Sequence, residues 1–117
     1  MKKATRPADL YLRFLHLAEA LRGLPALPAL DPLEERLLAL IARTAQEKER
    51  LCVRDMMAKE EFGSPATIHG RLKSMRKKGW IMLTDTDDAR RKQIDLTQDA
   101  LRHFDQLSKC MVQAAKG

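Results

Sequence analysis

The sequence predicts a mainly α-helical chain with one small β-hairpin. Apolar residues recur three and four positions apart through most of the 117 residues, which is the period of an amphipathic helix. Two short stretches, WIMLT at 80–84 and KQIDLT at 92–97, instead alternate apolar and polar residues, as half-buried strands do. Because only a short charged segment separates them, these two stretches predict a hairpin within an otherwise helical chain.

The length and the charge of the chain limit its functions. One domain of 117 residues is short for an enzyme with its own substrate domain, and no set of nucleophile, base and oxyanion donors is visible, so we expect neither catalysis nor a cofactor. The net charge of +6 and the pI near 9.6 favour polyanionic partners. Eight basic and three acidic residues lie between Arg71 and Lys92, so the positive charge is concentrated there.

The cysteines and the hydropathy indicate a cytoplasmic protein. Cys52 and Cys110 are far apart and belong to no CxxC motif or histidine cluster, so we expect buried thiols rather than a disulfide or a metal site. No apolar run approaches the roughly 18 residues of a membrane span. The stretch MKKATRPADLYLRF carries charges where a signal peptide is apolar, so we expect neither export nor a membrane partner.

Residues 1–30 are predicted to form one helix and a linker. Leu10, Phe14, Leu17 and Leu21 follow one another at intervals of four, three and four. With the apolar residues beside them, they form an arc broader than a lone surface helix needs. The proline-containing stretch PALPALDP then ends the helix.

A second helix is predicted to begin at Asp31. An aspartate N-cap, Pro32 at the first helical position and Glu34 three residues after the cap together specify a helix start. The stretch LCVRDMMAKEEFG, which ends at Gly63, is predicted to form a further short helix. The expected buried stripe of the second helix consists of Leu33, Leu37, Leu40 and Ile41.

The helix after Gly63 is the most informative element of the sequence. Ser64 is a favourable N-cap and Pro65 a favourable first residue. Ile68, Leu72 and Met75 recur at intervals of four and three and are expected to face the core. The residues expected to face outward are Ala66, His69, Gly70, Lys73 and Lys77.

Gly70 stands in the interior of this helix, where glycine costs about 1 kcal/mol relative to alanine. One interpretation is that another surface approaches the helix closely at this point. The alternative is a tolerated surface glycine, and the sequence alone favours neither.

Two short helices joined by a glycine turn, the second basic outside and aliphatic inside, predict a helix-turn-helix. A hairpin that directly follows such a recognition helix is a wing. We therefore expect a winged helix-turn-helix DNA-binding domain over residues 31–97, with Arg90 and Arg91 at the wing tip beside DNA.

Residues 98–117 are predicted to form a last helix, which starts at Thr97 and exposes an apolar side. Together with the first helix it carries more apolar surface than a winged core of this size can cover, so we expect a homodimer. The alternative is that each helix covers only its own domain. The predicted dimerisation residues are Leu10, Phe14, Leu17, Leu21, Leu101, Phe104 and Met111.

The segments SPATIHGRLKSMRKKGWI and DARRKQIDLT resemble the recognition helix and the wing of MarR-type winged-helix transcriptional regulators. The resemblance covers residues 31–110. After the wing this chain has room for only one helix, whereas the family commonly has a longer pair of helices there. It implies that Arg90 enters the minor groove and that Asp88 holds the guanidinium in place. It also implies that Thr67 and His69 reach base edges, while Lys73 and Lys77 meet phosphates.

These observations predict a sequence-specific double-stranded DNA-binding protein, a homodimeric MarR-like transcriptional regulator, with no small-molecule effector identified. Two alternatives remain open: a winged-helix protein-interaction module in a larger assembly, and a replication or partition control protein of a mobile element. The predicted DNA-binding residues are Ser64, Ala66, Thr67, His69, Gly70, Lys73 and Lys77 on the recognition helix, and Asp88, Arg90, Arg91 and Lys92 on the wing.

Overall fold

A computed structural model describes residues 6–21, 27–87 and 91–116 of the chain. These ranges are mainly helical, as predicted, and they contain three short strands where the predicted hairpin has two. A 3-10 turn, Glu60–Phe62, lies between the third and fourth helices. The elements in chain order are α1 (Pro7–Ala20), α2 (Pro32–Gln46), β1 (Leu51–Cys52), α3 (Val53–Met57), α4 (Pro65–Lys77), β2 (Ile81–Asp85), β3 (Lys92–Leu96) and α5 (Gln98–Lys116).

The chain divides into two compact units. The larger is Leu27–Ala100, and the smaller combines Met1–Ala26 with Leu101–Gly117. The larger unit therefore contains α2, α3, α4 and the sheet, together with the first residues of α5.

The core of the larger unit lies between helices α2, α3 and α4 and a small antiparallel sheet. The strand order is β1-β3-β2, and the predicted hairpin is formed by β2 and β3. Ile81 pairs with Leu96, and Leu83 pairs with Ile94, so the alternating apolar residues of the two strands face each other. The fully or nearly buried apolar side chains here are Leu37, Leu38, Ile41, Met56, Ile68, Leu72, Met75, Trp80, Ile81 and Ile94.

The predicted start of α2 is confirmed in atomic detail. The Asp31 carboxylate accepts from the Glu34 amide at 2.7 Å, and the Glu34 carboxylate accepts from the Asp31 amide at 2.9 Å. This reciprocal capping satisfies two amides that have no intrahelical partner. Of the predicted stripe, Leu37 and Ile41 are buried, whereas Leu33 and Leu40 are half-buried.

The prediction of one helix over residues 51–62 is wrong. Leu51 and Cys52 instead pair with Ile94 and Gln93 as a third strand, and α3 comprises five residues only. The helix begins after Cys52 because the Asp55 carboxylate accepts from the Cys52 amide at 3.1 Å, as in a capping box. Phe62 lies in the 3-10 turn, beneath the Arg36 guanidinium at 4.9 Å from the ring centroid.

The turn between α3 and α4 needs glycine at one position. Gly63 has φ +122°, a conformation that residues with a Cβ rarely adopt. Gly70 within α4 differs, because an added Cβ there would meet no atom within 4 Å. Nothing in the described part of this chain therefore requires glycine at position 70.

The smaller unit contains α1 and most of α5. The Arg13 guanidinium donates through Nη1 to the Ala114 carbonyl oxygen at 2.6 Å, which links α1 to the last turns of α5. Cys110 and Ala114 are buried, whereas α1 contributes no buried residue.

The two glycines give opposite predictions for stability. Gly63→Ala should lower the free energy of unfolding by more than about 1 kcal/mol, because alanine is strained at positive φ. Gly70→Ala should raise it by up to about 1 kcal/mol, since alanine is the better helix former and has room for its methyl group. Denaturant unfolding of the two variants measures both changes, and a shared sign would contradict this account.

Candidate nucleic-acid interface

The first turn of α4 is fixed by a pair of hydroxyl groups. The Ser64 hydroxyl accepts from the Thr67 amide at 3.1 Å and donates to the Thr67 hydroxyl oxygen at 2.9 Å. A hydroxyl group both donates and accepts, so Thr67 keeps hydrogen-bonding capacity beyond its contact with Ser64. Ser64 thus acts as the helix cap, and Thr67 is exposed with a hydroxyl donor.

The outer face of α4 is composed as the sequence predicts. Ile68, Leu72 and Met75 are buried on the inner side. The exposed residues of the predicted set are Ala66, Thr67, His69, Gly70, Lys73 and Lys77. This face presents small side chains near its beginning and cations towards its end, and no large apolar side chain is exposed on it.

The hairpin carries the predicted wing residues, in part outside the described chain. Asp88 and Arg90 lie outside the described residues. Arg91 is exposed, and its carbonyl oxygen accepts from the Thr86 hydroxyl at 3.0 Å. Lys92 forms an ion pair with Asp85, its cross-strand neighbour.

Arg76 was missed by the sequence prediction of individual site residues. It is exposed near the end of α4 and, with Lys92, lines an open groove of about 530 Å³ between the helix and the edge strand β2. Its position three residues after Lys73 places it near that lysine on the helix surface. That spacing is the sequence signal that could have identified it.

The cations of the basic segment divide into those that a carboxylate of the α2 cap holds and those that are not held in this way. The Arg71 guanidinium lies 2.7 Å from the Asp31 carboxylate, and the Lys78 ammonium lies 2.8 Å from the Glu34 carboxylate. These two cations are engaged with the N-terminus of α2. Within residues 6–21, 27–87 and 91–116, no ion pair holds the exposed cations Lys73, Arg76, Lys77 and Arg91.

Comparison with known proteins identifies the fold. Protein-family models and curated protein sequences give no match. The similar solved structures include three that are described here. One is the adhesin competence repressor AdcR of Streptococcus pyogenes, with a TM-score of 0.52 and 23% identity over 93% of this chain and 72% of that chain.

The second is the heme sensor protein PefR of Streptococcus agalactiae in complex with heme, with a TM-score of 0.57 and 18% identity over 97% of this chain and 76% of that one. The third is a MarR-like transcriptional regulator of Thermotoga maritima, with a TM-score of 0.57 and 12% identity over 97% and 80% of the two chains. This chain has the MarR-like winged-helix fold. The fold expected from the recognition helix and the wing is thereby confirmed.

The two terminal helices, α1 and α5, expose apolar side chains. Leu10, at 43%, and Met111, at 56%, are among the most exposed of the predicted dimerisation set, and Leu101 is also exposed. The half-buried members are Phe14, Leu17, Leu21 and Phe104. Further exposed apolar residues that the prediction omitted are Tyr11, Leu12, Leu15 and Val112.

The described residues offer neither a metal-binding cluster nor a membrane-spanning helix. In the described ranges, no group of three or more His, Cys, Asp or Glu side chains could hold a metal ion. Over those ranges, too, no helix is both long and apolar enough to cross a membrane. Cys110 is buried and Cys52 is half-buried, and both are free thiols.

Glu34 is a buried carboxylate with a depressed pKa. Burial raises the pKa of Glu34, but the hydrogen bond from the Asp31 amide, the contacts with Lys78 and Ser74 and the positive charge of Lys78 together outweigh it, so the pKa lies below its usual value of 4.5. A carboxyl group whose pKa is lower in the folded state stabilises the fold above its unfolded pKa. That stabilisation is lost as the pH falls through the folded pKa.

A comparison of the wild type with Glu34→Gln tests this linkage. The difference in unfolding free energy between the two proteins should be constant near neutral pH. Below about pH 4.5 it should change in favour of the variant, because only the wild type must then protonate a paired carboxylate. Denaturant unfolding over a pH series measures the difference. In a Lys78→Met background the change should be smaller, and an equal change in both backgrounds would contradict the role of Lys78.

Proposed function

We propose that this protein is a sequence-specific double-stranded DNA-binding transcriptional regulator that acts as a homodimer without catalysing a reaction. The observation that carries the proposal is the outer face of α4, which exposes small residues, hydrogen-bond donors and cations while its inner face is buried. An α-helix of this kind, followed by a hairpin, fits the major groove of B-form DNA with the hairpin beside it. The MarR-like fold supports the same assignment.

The outer face of α4 also favours DNA over a protein partner. A protein-interaction surface of this size commonly exposes a cluster of large apolar side chains. On α4, by contrast, no described residue of that kind is exposed, whereas Lys73, Arg76 and Lys77 are exposed cations. The face is therefore suited to an anionic groove, and DNA binding in turn agrees with a cytoplasmic location.

The proposed DNA contacts of each residue follow from its side-chain type and from its position on α4 or the wing. Thr67 and His69 donate hydrogen bonds to base edges, and Gly70 and Ala66 allow the helix to approach the bases closely. Ser64, Lys73, Lys77, Arg91 and Lys92 meet the phosphate backbone, and Arg76 is added to this group. On the wing, Arg90 enters the minor groove and Asp88 orients its guanidinium.

The proposed homodimer rests on the terminal helices. A helix of fourteen residues with no buried side chain, α1, exposes Leu10, Tyr11 and Leu12 to solvent. Because burial of each large apolar side chain is worth roughly 1.5–3 kcal/mol, association that covers this surface would be strongly favourable. A two-fold dimer would also present two recognition helices to a palindromic site.

Selection of bound fragments from random-sequence duplex DNA at a fixed salt concentration tests the function. The proposal expects enrichment of an inverted repeat with half-sites about one helical turn apart. Retention of duplexes without any enriched sequence would leave only non-specific binding, and no retention would contradict DNA binding altogether.

Base contacts and phosphate contacts should separate by substitution. Thr67→Ala and His69→Ala should each cost about 1–3 kcal/mol on the selected duplex and little on a random duplex, because base contacts carry the sequence information. Lys73→Ala and Arg90→Ala should weaken binding to both duplexes and flatten the slope of log affinity against log salt by about 0.9 each. Titrations at several salt concentrations measure both quantities, and equal losses on both duplexes would reassign Thr67 and His69 as anchors.

The dimer is tested through α1. Phe14→Asp should give monomers in sedimentation experiments and weaken binding to the selected palindrome, because it places a charge in the proposed apolar interface. Glu19→Gln, an exposed polar position on the same helix, is the control and should leave the dimer intact. A wild type that sediments as a monomer at high concentration would disprove the dimer.

A further inference from the structure

A five-residue segment before α2 lies along the end of the recognition helix. This segment, residues 27–31, is called the strap here. The Trp80 indole N–H donates to the Pro28 carbonyl oxygen at 2.8 Å, and the Lys78 ammonium donates to the Ala29 carbonyl oxygen at 2.9 Å. The Leu27 side chain packs over Gly79, where an added Cβ would lie 3.2 Å from Leu27 Cδ2. The strap is therefore fastened to three consecutive residues that follow α4.

The last residue of the strap, Asp31, forms an ion pair with α4. Asp31 closes the strap and caps α2, and its Oδ2 lies 2.7 Å from Nε of Arg71. One oxygen of Glu34, Oε1, accepts both from the Asp31 amide at 2.9 Å and from the Lys78 ammonium at 2.8 Å. A single carboxylate thus ties the strap, the first turn of α2 and the C-cap of α4 together.

Arg71 and Lys78 lie on a different side of α4 from the outward cations. Because a helix turns 100° per residue, Lys78 lies only roughly 20° around the axis from Arg71, whereas Lys73 lies roughly 200° from it. The two strap-facing cations therefore form one stripe, two turns long. Thr67 lies on this side of the helix as well, one turn before Arg71, so direction alone does not separate the two cations from DNA. What distinguishes Arg71 and Lys78 is that a carboxylate at the start of α2 holds each of them.

The ion pair between Lys78 and Glu34 does more than stabilise the fold. Glu34 is 1% exposed, whereas the Lys78 side chain is 27% exposed, so the pair is buried on the carboxylate side. Fully buried ion pairs can often be replaced by apolar residues of similar size with no loss of stability. A buried charge also accepts few arrangements of its partners, which is how such pairs contribute geometric specificity in some proteins. In this chain the arrangement that it specifies is the placement of α4 on α2.

We propose that Arg71 and Lys78 are positioning residues, which hold the recognition helix at a fixed orientation through the strap and the Asp31–Glu34 cap, and that they do not contact phosphate. The inference rests on the proposed DNA-binding function. It assigns to the two residues a role opposite to the one that their place in a basic segment suggests.

Adjacent lysines provide the matched test. Lys77→Met should weaken binding to a selected duplex and to a random duplex equally and flatten the salt slope by about 0.9, as the loss of one phosphate contact does. Lys78→Met should leave the slope unchanged and lower the affinity for the selected duplex about tenfold more than for the random one, because a displaced helix loses base contacts. Lys78→Arg, which keeps the charge, should restore part of that tenfold difference.

Asp31→Asn is a second test variant, chosen because it is expected to remain folded even if Lys78→Met is not. Asparagine remains a good N-cap, so α2 keeps its start while the charge facing Arg71 is removed. The positioning role expects weaker binding to the selected duplex despite the gain of one net positive charge. If Arg71 is instead a phosphate contact restrained by Asp31, the substitution frees it, and binding to both duplexes strengthens with a steeper salt slope.

The outcomes distinguish this inference from the function on which it rests. Thermal unfolding by circular dichroism first shows that each variant is folded. A wild type that binds no duplex overturns both the function and the inference. If the wild type binds DNA and Lys78→Met flattens the salt slope on both duplexes as Lys77→Met does, the positioning role is wrong. DNA binding is then unaffected.

Discussion

The winged helix depends on the burial of one apolar face of α4. Ile68, Leu72 and Met75 are each nearly or fully buried, and they lie on a stripe that the helical period places on one side. Once this stripe is fixed, every other residue of α4 has a determined direction. His69, Lys73 and Lys77 are exposed because they lie outside that stripe, and the outer face is a consequence of the inner one.

Burial alone fixes which side of α4 faces inward, but it does not fix the tilt of the helix. Apolar packing is non-directional and tolerates small rotations, whereas hydrogen bonds and buried ion pairs tolerate few. The contacts of Arg71 and Lys78 with the cap of α2 supply this directional component. In the proposed complex the cations of α4 are thus divided between two tasks, and a carboxylate partner at the α2 cap marks those with the positioning task.

Much of this arrangement could be predicted from sequence because it depends on local patterns. The cap at Asp31, the start of α4 at Ser64 and the alternation in β2 and β3 each arise from residues within a few positions of one another. The two-residue strand β1 was not predictable in this way, because Leu51 and Cys52 become a strand only by pairing with Ile94 and Gln93, some forty positions away. No local period marks so short a strand.

The candidate interface shows the same limit. Periodicity predicted which residues of α4 would be exposed, but a count of charges could not separate Lys77 from Lys78. Lys77 is exposed, whereas the Lys78 ammonium contacts the Glu34 carboxylate, which is 44 positions away in sequence. Burial of Glu34 is also the reverse of what its residue type suggests, since glutamate is rarely buried without a partner. Contacts between residues far apart in sequence determine both which lysine forms the ion pair and why Glu34 is buried.

The proposed dimer and the proposed positioning role constrain each other. A two-fold protein that reads an inverted repeat needs its recognition helices about 34–36 Å apart, so both must enter successive major grooves together. A helix that rocked on its apolar face would meet one half-site while missing the other, and the dimer would lose the gain in affinity from binding both. A rigid attachment of α4 therefore contributes more to the DNA affinity of a dimer than to that of a monomer. Under the proposal, the strap supplies that attachment. The strap is the first segment of the larger unit after α1, so the stretch of chain that follows the apolar helix would also hold the helix proposed to face DNA.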